Sequence, residues 1–263
     1  MTRLSELMNL DGRVALVTGG TGHLGRVMVA TLVEMGARVA VHGLQPDEAE
    51  KVADAHGKAC APFPADLADQ AAVVALPDAV KAKFGRLDIL INNAAFVGTS
   101  ALKGWAVPFQ QQSVETWRRA IDVNLTAVFA LTQAAALLLA ESGCGSVINI
   151  ASIYGLVGPD LSLYSGTALG NPAAYAASKG GLIQLTRWLA TSLAPRVRVN
   201  ALTPGGIARG QPPEFVERYV ARTPLGRMGR ENDMIGAVAY LASDLSAYVT
   251  GQNIVVDGGW TAW

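Results

Sequence analysis

The sequence predicts an α/β fold: a doubly wound, seven-stranded parallel sheet with helices on both faces, in a single domain. Two observations predict this class. Short runs of apolar residues alternate along the chain with longer helical patterns, and most of these runs are apolar at successive positions. Strands buried on both faces are typical of parallel sheets covered by helices. Right-handed crossovers then place helices on both faces.

The elements follow one another without a low-complexity linker or an internal repeat. The predicted strands are 14–17, 39–41, 59–63, 87–91, 147–150, 197–202 and 253–256. The predicted helices are 24–35, 46–56, one ending near Phe84, 113–140 and 172–193. Gly36 is placed to end the first helix and Ser113 to cap the start of the long fourth one.

Composition excludes several classes of protein. Of the 263 residues, 51% are apolar and 16% charged, against about 25% charged in an average domain. Lys plus Arg equals Asp plus Glu at 21 each, which argues against a nucleic-acid binder. The two cysteines exclude a disulfide scaffold, and no metal site is predicted. The most apolar stretch, 128–140, is too short to span a bilayer, so a cytoplasmic protein without signal peptide or membrane segment is expected.

A glycine-rich turn follows the first predicted strand. Glycine at 19, 22 and 25 leaves bare backbone where the strand meets a helix. A pyrophosphate can approach such a turn and accept N–H groups at the helix N-terminus. The position of the turn in the first βαβ unit therefore predicts a dinucleotide site of the Rossmann type, with the cofactor half at about 1–150 and the catalytic half at about 151–263.

A tyrosine and a lysine four residues apart lie on the predicted helix 172–193. Tyr175 and Lys179 share a helix face, and a cation there favours the phenolate. Tyr175 is therefore a candidate general acid and base. Taken alone, this spacing more often marks a packed tyrosine beside a solvated lysine.

Over essentially its whole length, the chain resembles the short-chain dehydrogenase/reductase family. The motifs that carry the resemblance are the glycine turn, Asp66, the run Asn92–Ala95, Asn124, Ser152, Tyr175 with Lys179, Pro204-Gly205 and Asp257–Gly259. Their order along the chain is specific to that family.

The resemblance implies roles for the matching residues. Tyr175 would exchange a proton with the substrate oxygen, Ser152 would hydrogen-bond that oxygen, and Asn124 would hold a relay water. Lys179 would hold the nicotinamide ribose and lower the pKa of Tyr175. The residues implied to line the NAD(P) groove are Gly19, Thr21, Gly22, His23, Leu24, Gly25, Leu44, Asp66, Leu67, Asn93, Ala94, Tyr175, Lys179, Pro204, Gly205 and Ile207.

The glycine turn departs from the family pattern. The shorter members usually carry TGxxxGxG, whereas this chain has His23 at the second-last glycine and fits TGxxGxxG. That spacing resembles the longer, extended branch, and it leaves a dehydratase or epimerase open. The length and the C-terminal motifs favour the shorter branch, with His23 as a loop residue near the phosphates.

Cofactor preference is weakly signalled at the end of the second strand. An acid there would favour NAD, and the position is taken by Gly43. Leu44 stands where NADP-dependent relatives often carry arginine. Because this carboxylate is missing, we expect a slight preference for NADP. His42 could assist, or could simply be packed or solvated.

Two longer segments are candidates for substrate recognition. About ten residues are extra between Ser152 and Tyr175, near 158–166, and they could form a pocket rim or a subunit contact. Tyr164 is closer to the usual spacing, but position 168 is alanine, which favours Tyr175. The loop 96–112 suits a sugar-like substrate, with a solvated loop as the alternative.

Candidate substrate contacts are Trp105, Tyr154 and Arg209, the last for an anionic group. A lid over about 212–220 is expected. Trp260 and Trp263 suggest a subunit interface, and the family implies a homodimer or homotetramer. The predicted activity is reversible oxidation of a secondary alcohol, on a sugar or sugar-nucleotide derivative. A 3-oxoacyl-thioester reductase and a nucleotide-sensing binding protein remain alternatives.

Overall fold

Seven parallel strands form one sheet in the computed structural model, which describes residues 2–97 and 100–263. The strands β1 to β7 are Val14–Val17, Arg38–Gly43, Cys60–Pro64, Ile89–Asn92, Gly145–Ile150, Val197–Pro204 and Asn253–Val256. Their order across the sheet is β3-β2-β1-β4-β5-β6-β7, and all six pairings are parallel. The predicted fold class and all seven predicted strands are confirmed.

Helices cover both faces of this sheet. The helices α1 to α9 are Leu4–Met8, His23–Glu34, Pro46–Asp54, Gln70–Phe84, Val114–Ile121, Ala127–Glu141, Ala173–Leu193, Pro213–Ala221 and Ile235–Ala242. On one face α2 and α9 bury Met28, Leu32 and Leu241 against the central strands. On the other face α4, α6 and α7 bury Leu76, Leu131 and Leu189. Burial on both sides explains why the central strands β1 and β4 are apolar at nearly every position.

The predicted helix over 113–140 is interrupted. Ser113 caps its start, since Oγ accepts the N–H of Thr116, but a wider π turn at Asp122–Thr126 separates α5 from α6. Such single π turns often occur at functional sites. The stretch Val114–Glu141 is long and apolar enough to span a membrane by composition, and 56% of its most apolar window is buried inside the protein. A core helix of a folded domain has the same character.

The strand order reverses between β1 and β4, which lie side by side although β2 and β3 separate them in the chain. Connections from these two strands leave toward opposite faces and open a crevice beyond their carboxyl ends. Ligands of doubly wound sheets bind in this crevice. The glycine-rich turn after β1 and the Asn92–Ala95 run after β4 are therefore brought together here.

Candidate active site

A cavity of about 730 Å³ opens beyond the carboxyl ends of the strands. Every residue that the family resemblance assigned to the cofactor lines this cavity, as do Ser152, Tyr154 and Arg209. The sheet thus gathers residues from six different strand ends into one site. Its size suits a dinucleotide and a small substrate together.

The glycine-rich turn is closely packed and leaves a helix end open. Gly19 has φ +61°, and a Cβ on Gly25 would lie 2.0 Å from the Gly19 carbonyl oxygen, so glycine is required at both positions. Gly22 provides no side-chain cap for α2, whereas Asp69 caps α4 through its carboxylate. The first N–H groups of α2 are therefore free to bind an anion. This end of the cavity fits the pyrophosphate of a nicotinamide dinucleotide.

Side chains from neighbouring strands hold this turn in place. Thr18 Oγ accepts the N–H groups of Asn93 and Ala94 at 2.9 and 3.1 Å. The Asn93 amide donates to the carbonyls of Thr18 and Gly19, both at 3.0 Å. Asn93 lines the cavity as predicted, and its amide is used to fasten β4 to the turn.

A side chain at Gly43, the last residue of β2, would meet the side chain of Thr21. A Cβ on Gly43 would lie 2.6 Å from Thr21 Cγ2. Leu44, the next residue, is 58% exposed at the cavity edge. His42 is buried rather than solvated: its ring contacts the glycine-rich turn and the end of β3. Neither a carboxylate for a ribose hydroxyl nor an arginine for a 2′-phosphate stands at this strand end.

Three of the four predicted catalytic side chains, those of Ser152, Tyr175 and Lys179, line the same cavity. Ser152 follows β5, while Tyr175 and Lys179 lie one turn apart on α7. Lys179 Nζ donates to the Ile150 carbonyl at 2.7 Å and lies 5.8 Å from the Tyr175 ring centroid. The spacing of four residues thus points both side chains of α7 toward the end of β5.

The pKa of Tyr175 moves opposite to the sequence-based expectation. Burial raises the pKa of its phenol, and a hydrogen bond with Ser152 and the charge of Arg209 lower it by less. Burial also lowers the pKa of Lys179 to about 8. Lys179 itself is hydrogen-bonded to the backbone of β5.

Asn124 lies in the π turn between α5 and α6 and is fully buried. Its Oδ1 accepts the Phe96 N–H at 2.7 Å, and its amide donates to the Phe96 carbonyl and to Ser178 Oγ. Both amide hydrogens are therefore used within the chain, while Oδ1 keeps a second lone pair.

The extra segment before Tyr175 forms a rim of the substrate half, the first of its two expected roles. Tyr164 from this segment hydrogen-bonds Tyr154 through the two hydroxyls at 2.7 Å. Arg218 on α8 donates to the carbonyls of Ser162, Leu163 and Ser165. The segment and α8, at the expected lid position, therefore pack as one unit.

Two tryptophans are not where the sequence suggested. Trp105 is 2% exposed and does not line the cavity. Its indole N–H donates to the Val97 carbonyl at 2.8 Å, and its ring packs behind Tyr175. Trp260 is also buried within the chain, stacked on Tyr219 at 5.7 Å, rather than free for a subunit interface. Trp263 remains exposed.

Arg209 faces the substrate half from the loop after β6. Its Nε lies 3.4 Å from Glu231 Oε1, and the same oxygen lies 3.8 Å from His23 Nδ1. Arg209 and Lys179 are the two Lys or Arg side chains among the described residues that line the cavity. Within the described part of the chain, no cluster of His, Cys, Asp or Glu could hold a metal ion.

Sequence reasoning missed most of the apolar wall contributed by α8. Phe215 and Tyr219 line the cavity, and the Tyr219 hydroxyl accepts the Gly206 N–H at 2.6 Å. Their spacing of four residues places them on one helix face. That spacing was the available signal, although it does not indicate which cavity the face covers.

Known proteins match this chain over nearly its full length. A family model described as enoyl-(acyl carrier protein) reductase matches residues 21–261. A cis-4-hydroxycyclohexanecarboxylate dehydrogenase from Sinomonas cyclohexanicum is 34% identical over 95% of this chain and 97% of that protein. A 3-oxoacyl-(acyl-carrier-protein) reductase from Escherichia coli (strain K12) is 32% identical over 96% of this chain and 98% of that protein.

Two solved structures have the same fold. A short chain dehydrogenase from Leptospira borgpetersenii with bound NAD⁺ has a TM-score of 0.86 and 33% identity, covering 99% of this chain and 96% of that chain. A gluconate 5-dehydrogenase from Burkholderia cenocepacia in complex with NADP and tartrate has a TM-score of 0.87 and 30% identity, covering 99% and 100%. The chain belongs to the short-chain dehydrogenase/reductase family and is an NAD(P)-dependent oxidoreductase.

Proposed function

We propose that this enzyme interconverts a secondary alcohol and a ketone, with Tyr175 as the group that gives and takes the proton. The observation that carries the proposal is the meeting of Tyr175 and Ser152 in the cavity that also contains the glycine-rich turn. A phenol and a hydroxyl side by side can both hydrogen-bond one substrate oxygen. The bound nicotinamide supplies the hydride chemistry.

Burial of Tyr175 suits the direction of ketone reduction. Because its pKa is raised, the phenol is protonated at neutral pH and can donate to a carbonyl oxygen. Ser152 stabilises the negative charge that develops on that oxygen. In alcohol oxidation the phenolate takes the proton, and the contacts with Ser152 and Arg209 favour that charged form.

The glycine-rich turn and the α2 N-terminus would hold the pyrophosphate, and Lys179 would hold the nicotinamide ribose. We propose a slight preference for NADP over NAD, because Gly43 and Leu44 present no carboxylate that would repel a 2′-phosphate. Relatives with NAD⁺ and with NADP are both known. Direct binding measurements therefore have to decide the preference.

For the substrate we propose a small polar alcohol that carries a carboxylate, such as a hydroxy acid derived from a sugar. Arg209 supports this class, since its guanidinium faces the cavity with its side chain 32% exposed. Guanidinium groups bind carboxylates in a bidentate manner. The relatives named for a hydroxycyclohexanecarboxylate and for gluconate act on substrates that bear this group.

A 3-oxoacyl thioester is the second candidate, favoured by the 32% identical reductase. Such a substrate needs an open path for a long acyl carrier. In this chain the rim segment and α8 border the cavity and are tied together by Arg218, which favours a small substrate. A sensor without turnover is the third candidate, and the intact set of Ser152, Tyr175 and Lys179 argues against it.

The test begins with fluorescence titrations of the purified enzyme with NADPH and, separately, NADH. The preferred cofactor is then used with three panels: hydroxy acids and sugar acids, their matched amides and neutral polyols, and acyl thioesters. We expect turnover of acids to exceed that of the matched amides, and Arg209→Met to remove that advantage while Arg209→Lys keeps part of it. Preferred turnover of thioesters would overturn the substrate class. Binding of neither cofactor would overturn the whole proposal.

A further inference from the structure

We propose that His42 is a positioning residue of the dinucleotide site: it holds the glycine-rich turn against the end of β3 and thereby sets cofactor affinity. It takes no part in hydride or proton transfer. The inference requires that the enzyme binds a nicotinamide dinucleotide. It does not depend on the proposed substrate.

The His42 ring bridges two segments of the chain that are each 23 residues away in sequence. The Gly19 N–H donates to Nδ1 at 3.1 Å, and Nε2 lies 3.1 Å from the Ala65 carbonyl oxygen. The His42 backbone carbonyl also accepts the Gly20 N–H at 2.7 Å. One residue of β2 therefore fastens two consecutive peptides of the turn.

The chemistry of these partners determines the protonation of the ring. A backbone N–H can only donate, so Nδ1 must carry a lone pair. A carbonyl can only accept, so Nε2 must carry the proton. His42 is 2% exposed, and burial lowers its pKa to about 4, so the neutral ring persists through physiological pH. A doubly protonated ring could not accept from Gly19.

The Gly19 peptide is held from two sides. His42 binds its N–H, and the Asn93 amide binds its carbonyl at 3.0 Å. Gly19 has φ +61°, and a Cβ there would lie 2.9 Å from Ala94 Cα, so the turn has little freedom to relax. The orientation of this peptide decides where the uncapped N-terminus of α2 presents its N–H groups.

The same ring also touches the opposite wall of the cofactor half. Ala65 leads directly into Asp66 and Leu67, which line the cavity where the adenine is expected. His42 therefore joins the phosphate wall to the adenine wall through one rigid imidazole. A preorganised site loses less entropy on binding than one that must be ordered by its ligand.

The experiment uses two substitutions that each keep one half of the bridge. His42→Asn keeps an acceptor near Nδ1 for the Gly19 N–H, while His42→Gln keeps a donor near Nε2 for the Ala65 carbonyl. His42→Leu keeps neither. His56→Asn, at a half-buried histidine beyond the end of α3, is the matched control. Dissociation constants for NADPH and NADH are measured by fluorescence titration, together with kcat, KM and melting temperature.

We expect the cofactor dissociation constant to rise about tenfold in His42→Gln and His42→Leu, and about threefold or less in His42→Asn. At saturating cofactor, kcat and the substrate KM should stay near wild type. Long-range ¹H–¹⁵N NMR spectra of the cofactor-free protein should show the proton of His42 on Nε2. Unchanged affinity in all three variants would overturn the inference. An equal loss of cofactor affinity in His42→Asn and His42→Gln that parallels a fall in melting temperature would also overturn it. So would an NMR spectrum that places the His42 proton on Nδ1. If His42→Leu does not fold, the comparison of cofactor affinity between His42→Asn and His42→Gln still tests the inference.

Discussion

Replacing Tyr175 with phenylalanine tests the assignment of the proton-transfer group most directly. The substitution removes one oxygen and leaves the ring, which packs against Trp105 and Ala174. The fold and the glycine-rich turn should therefore be unaffected, and NADPH binding should stay close to wild type.

The expected loss follows from the chemistry of the site. General acid–base catalysis contributes about 10²–10⁴ in rate, or about 3–5 kcal/mol of barrier. Because Tyr175 is the group that lies beside Ser152 in the cavity, kcat should fall by this factor. Ser152→Ala removes a donor to the same oxygen and should cost about 10²–10³.

The assay is steady-state turnover followed by absorbance of the reduced nicotinamide, with cofactor affinity measured in parallel. Tyr164→Phe is the matched control, since Tyr164 is a second phenol of the same cavity and hydrogen-bonds Tyr154 instead of Ser152. Its kcat should change far less than that of Tyr175→Phe. Near-wild-type turnover in Tyr175→Phe, or an equal loss in Tyr164→Phe, would refute the assignment.

Three further predictions follow from contacts in the fold. Burial lowers the pKa of His42 from 6.5 to about 4, and the nearby charge of Asp66 opposes this only in part. The unfolded chain therefore binds a proton that the folded chain does not, and stability should fall by about 2 kcal/mol between pH 7.5 and pH 5. Denaturant unfolding at both pH values checks this, and His42→Asn should lose that difference. Gly25→Ala places a Cβ 2.0 Å from a backbone oxygen and should abolish cofactor binding. Gly158→Ala, at a position with open space around it, is the control and should leave cofactor binding unchanged. Fluorescence titration of both variants with the cofactor tests this prediction. Arg218→Met removes the donor to three carbonyl groups of the rim segment. Cleavage of the rim segment by subtilisin should therefore become faster, and the substrate KM should rise several-fold. Arg187→Met, on the exposed side of α7, is the control and should change neither quantity.

Local patterns in the sequence were sufficient to predict the fold class and to single out many of the residues that line the cavity. The central runs became strands that are buried on both faces, as in β1 and β4, so their apolar character is visible in four consecutive residues. The glycine turn and the Tyr175–Lys179 pair were likewise readable, since their geometry depends on a strand-to-helix turn and on one turn of a helix. All of these features depend on neighbours close in the chain.

Contacts between distant segments were decided by tertiary packing. From the sequence, His42 could be either a cofactor contact or a packed or solvated residue. Its contacts are with Gly19 and Ala65, which the parallel pairings of β2 with β1 and β3 bring to either side of it. Trp105 looked like a substrate contact, but the loop folds it behind Tyr175. The direction of the Tyr175 pKa was also reversed by burial, which the spacing of Lys179 cannot reveal. Burial and long-range pairing depend on how whole elements pack, so they enter only once the sheet and its helices are assembled.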